Sequence, residues 1–212
     1  SSNGVDDIPD DKKPDHARVG EAVYRTAKEL QGYISKLEEI RVPVIAAVHG
    51  GVIGGALDLI TACDMRFASN DAFFCIQEIN IGMAADVGTL QRLPKIIPDS
   101  KMREMAYTGR RMLADEAKDS GLVGEIYETQ DEMLDAVHKL AAEIASKSPV
   151  AIYGLKAVMN YSRDHNVSDS LDFNALWSGA MLSQADMTEA MTAQMEKRDA
   201  SFDKMVDVKK FN

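Results

Sequence analysis

The fold class is most clearly indicated by residues Pro43–Ser69, PVIAAVHGGVIGGALDLITACDMRFAS. It begins with PVIAAVHGG, a short apolar run closed by glycines, which is typical of a strand buried on both faces. The segment GGALDLITACD has helical spacing through Leu57, Ile60 and Thr61, and MRFAS is again strand-like. With AFFCI (72–76) as a further strand, the order is strand, helix, strand, strand, and it predicts an α/β fold.

Helical patterns flank this stretch. Residues 19–37 place apolar side chains at three- and four-residue spacing, which predicts an amphipathic helix. After the strands, VGTLQRLPKII, SKMREMAYTG and ADEAKDSG predict short helices, the last stopping at Gly121, and LVGEIY predicts a final strand. From Gln130 onward the pattern is almost wholly helical, so we predict a core domain over 1–128 and a helical region over 129–212.

Composition excludes several classes of function. The formal net charge of -10 argues against nucleic acid as a partner, because phosphate contacts need a positive surface. Only two cysteines, Cys63 and Cys75, are present, so no disulfide framework is implied and a reducing compartment is favoured. No apolar run approaches the roughly 20 residues that span a bilayer, so we expect no membrane span.

The glycine cluster His49–Gly55, HGGVIGG, separates the predicted strand from the helix that follows. Glycines allow a sharp turn and let a ligand approach main-chain N–H groups. No Gly-Lys-Ser/Thr follows and the Gly-x-Gly-x-x-Gly spacing is incomplete, so an oxyanion site is favoured over a phosphate cradle. The alternative is a tight turn with close packing of strand and helix.

Three acids lie near glycine-rich or small-residue backbone: Asp58, and Glu78 with Asp86 in EINIGMAADVGTLQRLP. We expect Glu78 to end the strand that contains AFFCI. Taken singly, each has a structural explanation: Asp58 as a favourable charge in a first helical turn, and Asp86 as the N-cap of a helix beginning near Val87. Together, among apolar neighbours, they favour proton transfer. The four histidines share no metal-ligand spacing and no Gly-x-Ser-x-Gly motif is present, so we expect neither a metal site nor a serine hydrolase.

The stretch PVIAAVHGGVIGGALDLITACDMRFAS resembles the core of the enoyl-CoA hydratase/isomerase (crotonase) superfamily. FFCIQEINIGMAADVGTLQRLPKII resembles its dienoyl-CoA isomerase branch, which has an acid at the positions of Asp58, Glu78 and Asp86 together. The resemblance implies a spiral of ββα units followed by a C-terminal helical trimerisation region. It also implies conversion of 3,5-dienoyl-CoA to 2,4-dienoyl-CoA in fatty-acid β-oxidation.

Roles for individual residues follow from this resemblance. Two backbone N–H groups hold the thioester oxygen in the superfamily, and their counterparts here are Gly55 and, in SNGVDD, Val5. Asp86 is the expected base at carbon 2, Glu78 the expected acid at carbon 6, and Asp58 a third carboxyl that polarises or positions the pair. No separate cofactor is implied, because coenzyme A is part of the acyl-CoA substrate.

Two other functions stay open. In an enoyl-CoA hydratase, acids at the positions of Asp58 and Glu78 hold a water molecule, although hydratases favour glutamate at both and a glycine-rich segment at Asp86. A non-catalytic crotonase-like protein would serve as a CoA-binding scaffold. The retained acids and Gly55 argue against such a scaffold.

The family also sets expectations for assembly and compartment. Its members have N-terminal strands before the SNGVDD equivalent, and we expect that the chain as given lacks them. The resemblance implies a homotrimer or a dimer of trimers in a peroxisomal or mitochondrial matrix. The chain ends in VKKFN, not in the peroxisomal Ser-Lys-Leu address.

Overall fold

The computed structural model describes residues 15–208 of the chain. Within this range, short 3₁₀ turns cover Gln77–Ile81 and Leu93–Lys95. The helices are α1 (His16–Glu39), α2 (Gly55–Thr61), α3 (Thr89–Arg92), α4 (Asp99–Thr108), α5 (Ala114–Asp119), α6 (Gln130–Ala145), α7 (Pro149–Asp164), α8 (Val167–Met181) and α9 (Gln184–Glu196). The strands are β1 (Ile45–Val48), β2 (Gly51–Ile53), β3 (Met65–Ser69), β4 (Phe73–Cys75), β5 (Met112–Leu113) and β6 (Glu125–Tyr127).

The strands form two sheets, with orders β1-β3-β6 and β2-β4-β5. In the first sheet β3 is parallel to both neighbours, with Ile45 opposite Met65 and Phe67 opposite Glu125. In the second sheet β4 is parallel to β2 and antiparallel to β5. The pairs β1–β2 and β3–β4 therefore each place their first strand in one sheet and their second strand in the other, and β5 and β6 extend the two sheets in the opposite order. This confirms the predicted α/β spiral.

Strand β2 lies inside the glycine cluster, where the sequence predicted only a turn. Gly50 at φ 61° and Gly54 at φ 55° make two separate turns, in a backbone region that favours glycine. Between them β2 pairs with β4, and a Cβ on Gly51 would lie 2.9 Å from Cζ of Phe73. The glycines thus permit both the turns and the close approach of the two strands.

The core lies between the sheets and the short helices, around Phe74, Leu57, Ile76, Leu93 and Met105, all buried. The prediction that β1 is buried on both faces was wrong. Only Ala46 of this strand is buried and its other side chains are half-buried, because β1 is an edge strand of its sheet.

Helix α1 is present as predicted and is longer than the pattern indicated. Leu37 packs against the core, but other apolar side chains of the helix stay outside it: Val23 is 62% and Tyr24 60% exposed. Instead, polar groups near its C-terminal end join it to α3 and α7, through Glu38 to Arg92 and Arg163. The helix is therefore placed by hydrogen bonds and ion pairs more than by apolar burial.

The last third is helical, as predicted. Tyr161 stacks on Phe173 with ring centroids 4.2 Å apart, which packs α7 against α8. The helical region is interrupted at Leu182, and the Ser183 side chain caps α9 by accepting from the Asp186 N–H at 3.1 Å. The division at residue 128 stays a prediction, since α6 beyond it packs on β1, β3 and β6.

A buried ion pair ties α7 to the core. The ammonium group of Lys156, 3% exposed, donates to Oδ2 of Asp64 at 2.8 Å and to the Leu37 carbonyl at 2.7 Å.

Among residues 15–208, no helix is both long and apolar enough to cross a lipid bilayer.

Candidate active site

The turn at Gly54 brings the glycine cluster against Glu78. Gly54 adopts φ 55° and ψ -120° and donates its N–H to the Cys75 carbonyl at 3.0 Å. A Cβ on Gly54 would lie 3.0 Å from Oε1 of Glu78. The absence of a side chain at Gly54 therefore makes room for the Glu78 carboxyl beside the start of α2.

Gly55 is the first residue of α2 and is exposed. No acceptor within residues 15–208 takes its N–H, and an added Cβ would meet nothing within 4 Å. Free N–H groups in a first helical turn point away from the helix and attract negative charge. The Gly55 N–H can thus donate to an oxygen atom that enters beside Glu78.

Asp58 lies one turn into α2 and is 1% exposed. Its Oδ1 accepts from the backbone N–H of Thr89 at 2.6 Å. Thr89 is the first residue of α3, so Asp58 caps that helix from another element. This buried hydrogen bond joins the glycine turn to the segment that carries Asp86.

The prediction that Glu78 ends a strand was wrong. Strand β4 ends at Cys75, and Glu78 lies in the first turn of the 3₁₀ segment Gln77–Ile81, half-buried. Its carbonyl accepts from the Met83 N–H at 2.9 Å, and Gly82 closes the turn at φ 78°. The tight turn directs the chain away from the sheet directly after the acid.

Asp86 lies in the irregular segment between this turn and α3, and its side chain is exposed. The prediction that it caps a helix near Val87 was wrong, because α3 begins at Thr89 with Gly88 as its N-cap residue. Gly88 has φ 141°, and a Cβ there would collide with the guanidinium of Arg92. The positive φ therefore favours glycine at this position, and a side chain there would displace the Arg92 guanidinium.

An apolar cavity of about 350 Å³ opens beside the segment that links the two acids. The small side chains of Ala84 and Ala85 form part of its wall, and the 3₁₀ turn and α4 supply most of the rest. Its other lining residues are Ile76, Ile79, Met83, Leu90, Met102, Arg103, Ala106 and Tyr107.

Of the predicted site residues, Gly55, Asp58 and Glu78 thus lie around one glycine turn. Asp86 is joined to them through Thr89, three residues further along the chain. Val5 lies outside the described residues. The roles assigned to these residues stay predictions.

Sequence analysis missed Thr89, Arg92 and Gln31. The side-chain amide of Gln31, on α1, donates to the Asp86 carbonyl at 2.7 Å. Arg92 donates to Ser35 at 2.9 Å and to Glu38 at 2.8 Å. Gln31, Ser35 and Glu38 have helical spacing, and this polar line on a predicted helix was the available signal.

Comparison with known proteins identifies a family that covers most of the chain. The protein-family model described as Enoyl-CoA hydratase/isomerase matches residues 16–205. Among solved structures, enoyl-CoA hydratase from Bacillus anthracis superimposes with a TM-score of 0.80 at 28% identity, covering 86% of this chain and 70% of that one. A probable enoyl-CoA hydratase/isomerase from Mycobacterium abscessus gives a TM-score of 0.80 at 32% identity, covering 86% of this chain and 71% of that one.

Curated relatives are more similar in sequence. The chain is 49% identical to the mitochondrial Delta(3,5)-Delta(2,4)-dienoyl-CoA isomerase of Mus musculus, over 87% of this chain and 57% of that protein. It is 46% identical to the peroxisomal Delta(3,5)-Delta(2,4)-dienoyl-CoA isomerase of Arabidopsis thaliana, over 90% of this chain and 69% of that protein. The chain thus spans less than two thirds of the length of the mouse relative.

The hydrogen bond to Asp58 can be tested by stability measurements. We expect Asp58→Ala to lower the free energy of unfolding by about 2–3 kcal/mol, because it leaves the Thr89 N–H buried without an acceptor. Asp58→Asn keeps an acceptor oxygen and should cost about 1 kcal/mol or less. Urea unfolding measures both, with Asp99→Ala, in the exposed first turn of α4, as a control expected to cost about 0.5 kcal/mol. Equal losses for the Ala and Asn variants at Asp58 would contradict this role.

Proposed function

The chain belongs to the enoyl-CoA hydratase/isomerase family, and we propose that it isomerises 3,5-dienoyl-CoA to 2,4-dienoyl-CoA. The observation that carries the proposal is the position of the Glu78 carboxyl against Gly54, next to the free N–H of Gly55. Similarity to dienoyl-CoA isomerases, 49% and 46% in the two relatives above, supports the same reaction. The remaining steps follow from the chemistry of the groups around that turn.

The N–H of Gly55 is the proposed donor to the thioester oxygen. When carbon 2 loses a proton, negative charge develops on this oxygen, and a preorganised donor stabilises it more than it stabilises the starting carbonyl. Removing one such donor in known enzymes slows the reaction by about 10²–10³-fold. We propose Val5, outside the described residues, as the second donor.

Proton transfer is divided between two acids. Asp86 takes a proton from carbon 2, and the electrons of that C–H bond delocalise through the thioester and the diene. Glu78 gives its proton to carbon 6, a new C–H bond forms there, and the two double bonds become conjugated with the thioester. Asp86 ends protonated and Glu78 ionised, and exchange with solvent restores both.

Two groups, one that accepts a proton and one that donates a proton, are needed because carbons 2 and 6 are four bonds apart. The chain between the acids contributes Ala84 and Ala85 to an apolar cavity, and we propose that the acyl chain lies in it. Asp58 acts on this arrangement as a positioning group, because its carboxylate is buried and accepts from the Thr89 N–H. This is the positioning alternative among the two roles expected for the third carboxyl.

Assembly and compartment belong to the proposal as well. Helices α8 and α9 expose large apolar side chains, among them Leu176 at 74% and Met195 at 77%. A homotrimer or a dimer of trimers would cover such surfaces. The names of the relatives place those proteins in mitochondria or peroxisomes, and we propose one of these matrices for this protein.

Enoyl-CoA hydration is the second candidate, favoured by the B. anthracis structure, which is a hydratase. A hydratase uses both acids at the glycine turn to hold water. Here the Oδ1 atom of Asp58 already accepts from Thr89. This bond leaves Asp58 less able to hold water, which disfavours hydration. A protein that hydrates 2-enoyl-CoA and leaves 3,5-dienoyl-CoA unchanged would replace isomerisation with hydration.

The proposed reaction can be followed by ultraviolet absorbance, because only the 2,4-diene is conjugated with the thioester. We expect the absorbance of 3,5-dienoyl-CoA to change when the protein is added. Asp86→Asn and Glu78→Gln should each lower kcat by about 10²–10⁴-fold with little change in KM, since each removes a proton carrier. Asp135→Asn and Glu143→Gln, exposed on α6, provide matched controls that should retain the wild-type rate. Unchanged rates in the first pair would refute the assignment of the proton carriers.

The acyl cavity can be tested by filling it. We expect Ala84→Leu to lower kcat/KM more for long-chain than for short-chain dienoyl-CoA, because three added carbon atoms occupy part of the cavity. Ala22→Leu, on the exposed surface of α1, is the control for a general effect of the substitution. Kinetics with a series of chain lengths give the measurement. A uniform loss across the series would show that the acyl chain lies elsewhere.

A further inference from the structure

The segment that carries the proposed base has few bonds to the rest of the fold. Within residues 15–208, the backbone of 84–87 makes one hydrogen bond, in which Nε2 of Gln31 donates to the Asp86 carbonyl at 2.7 Å. The flanking anchors are the Met83 N–H, bonded to the Glu78 carbonyl, and the Thr89 N–H, bonded to Asp58. Within the described residues, Ala85 packs into the core, and Gln31 makes the single hydrogen bond to the backbone between those anchors.

Gln31 is held on a helix that is itself fixed to α3. Ser35 lies one turn and Glu38 about two turns after Gln31 on the same face of α1. Arg92 donates to both, and its side chain is 13% exposed, beside 15% for Glu38. Burial opposes ionisation of the Glu38 carboxyl, but the guanidinium groups of Arg92 and Arg163 outweigh it and hold its pKa below the usual value.

These side chains surround one polar cavity of about 380 Å³. Gln31, Ser35 and Glu38 form its α1 wall, and Gly88 and Arg92 belong to its opposite wall. Gly88 follows Asp86 by two residues and packs against the Arg92 guanidinium. The polar face of α1 thus determines where the chain runs immediately before α3.

We propose that Gln31 is a positioning residue for Asp86, a role that rests on the proposed isomerase function. Holding the Asp86 carbonyl fixes the adjoining peptide group and so the direction in which the carboxyl leaves the backbone. Proton transfer is sensitive to this direction, since a misplacement of about 1 Å can cost about 10²-fold in rate. Gln31 contacts the base through its backbone and has no part in binding the thioester.

The kinetic test uses Gln31→Leu, which keeps the size of the side chain and removes its donor. We expect kcat to fall about 10- to 100-fold while KM stays within about threefold. In an Asp86→Asn background, Gln31→Leu should change kcat by less than about twofold, because its effect passes through Asp86. Gln91→Leu is the matched control: its exposed side chain lines the same cavity and makes no hydrogen bond within residues 15–208.

A second measurement does not require activity. Hydrogen–deuterium exchange of the peptide over 83–89 should be at least about threefold faster in Gln31→Leu than in the wild type or Gln91→Leu. Wild-type kcat and exchange in Gln31→Leu, or additive effects of Gln31→Leu and Asp86→Asn, would overturn the proposal. If the wild-type chain leaves 3,5-dienoyl-CoA unchanged, the proposed function fails, and the exchange rates alone then decide whether Gln31 holds this segment.

Discussion

The backbone N–H of Thr89 donates to the buried carboxylate of Asp58 across 31 residues of sequence, and the candidate site depends on this bond. Asp58 belongs to α2, which starts at the glycine turn, while Thr89 starts α3, directly after the segment that carries Asp86. The bond therefore connects the proposed oxyanion donor, Gly55, to the proposed base. A buried carboxylate is costly unless hydrogen bonds satisfy it, so this connection is tightly specified.

Three acids in one neighbourhood thereby take three different environments. Asp58 is buried and occupied by a backbone donor, Glu78 is half-buried against Gly54, and Asp86 is exposed on an irregular segment. Asp58, which is buried and hydrogen-bonded, suits a positioning role, whereas Glu78 and Asp86 are accessible to a ligand. The proposed division of roles among the three acids follows these environments.

Much of the fold could be predicted from the sequence, because long periodic patterns are strong signals. The helix over 19–37 and the strands MRFAS and AFFCI are present in the structure. Strands β2 and β5, of three and two residues, could not be found in this way, since their pairing depends on β4 rather than on local pattern. Glu78 was misplaced at a strand end because the turn after Cys75 has no distinctive sequence.

For the site, the family resemblance identified the candidate residues but not the hydrogen bonds that hold them in place. Gly55, Asp58 and Glu78 do lie around one turn, yet the bond from Gln31 to Asp86 joins positions 55 residues apart, and the polar spacing on α1 does not show which residue Gln31 contacts. If Asp86 and Glu78 transfer different protons, as proposed, isomerisation in D₂O places one deuterium from solvent at carbon 6, which NMR of the product detects. The Glu78→Gln variant should then exchange hydrogen at carbon 2 without isomerising. A product that carries the substrate's own carbon-2 hydrogen at carbon 6 would refute the proposed division between the two acids.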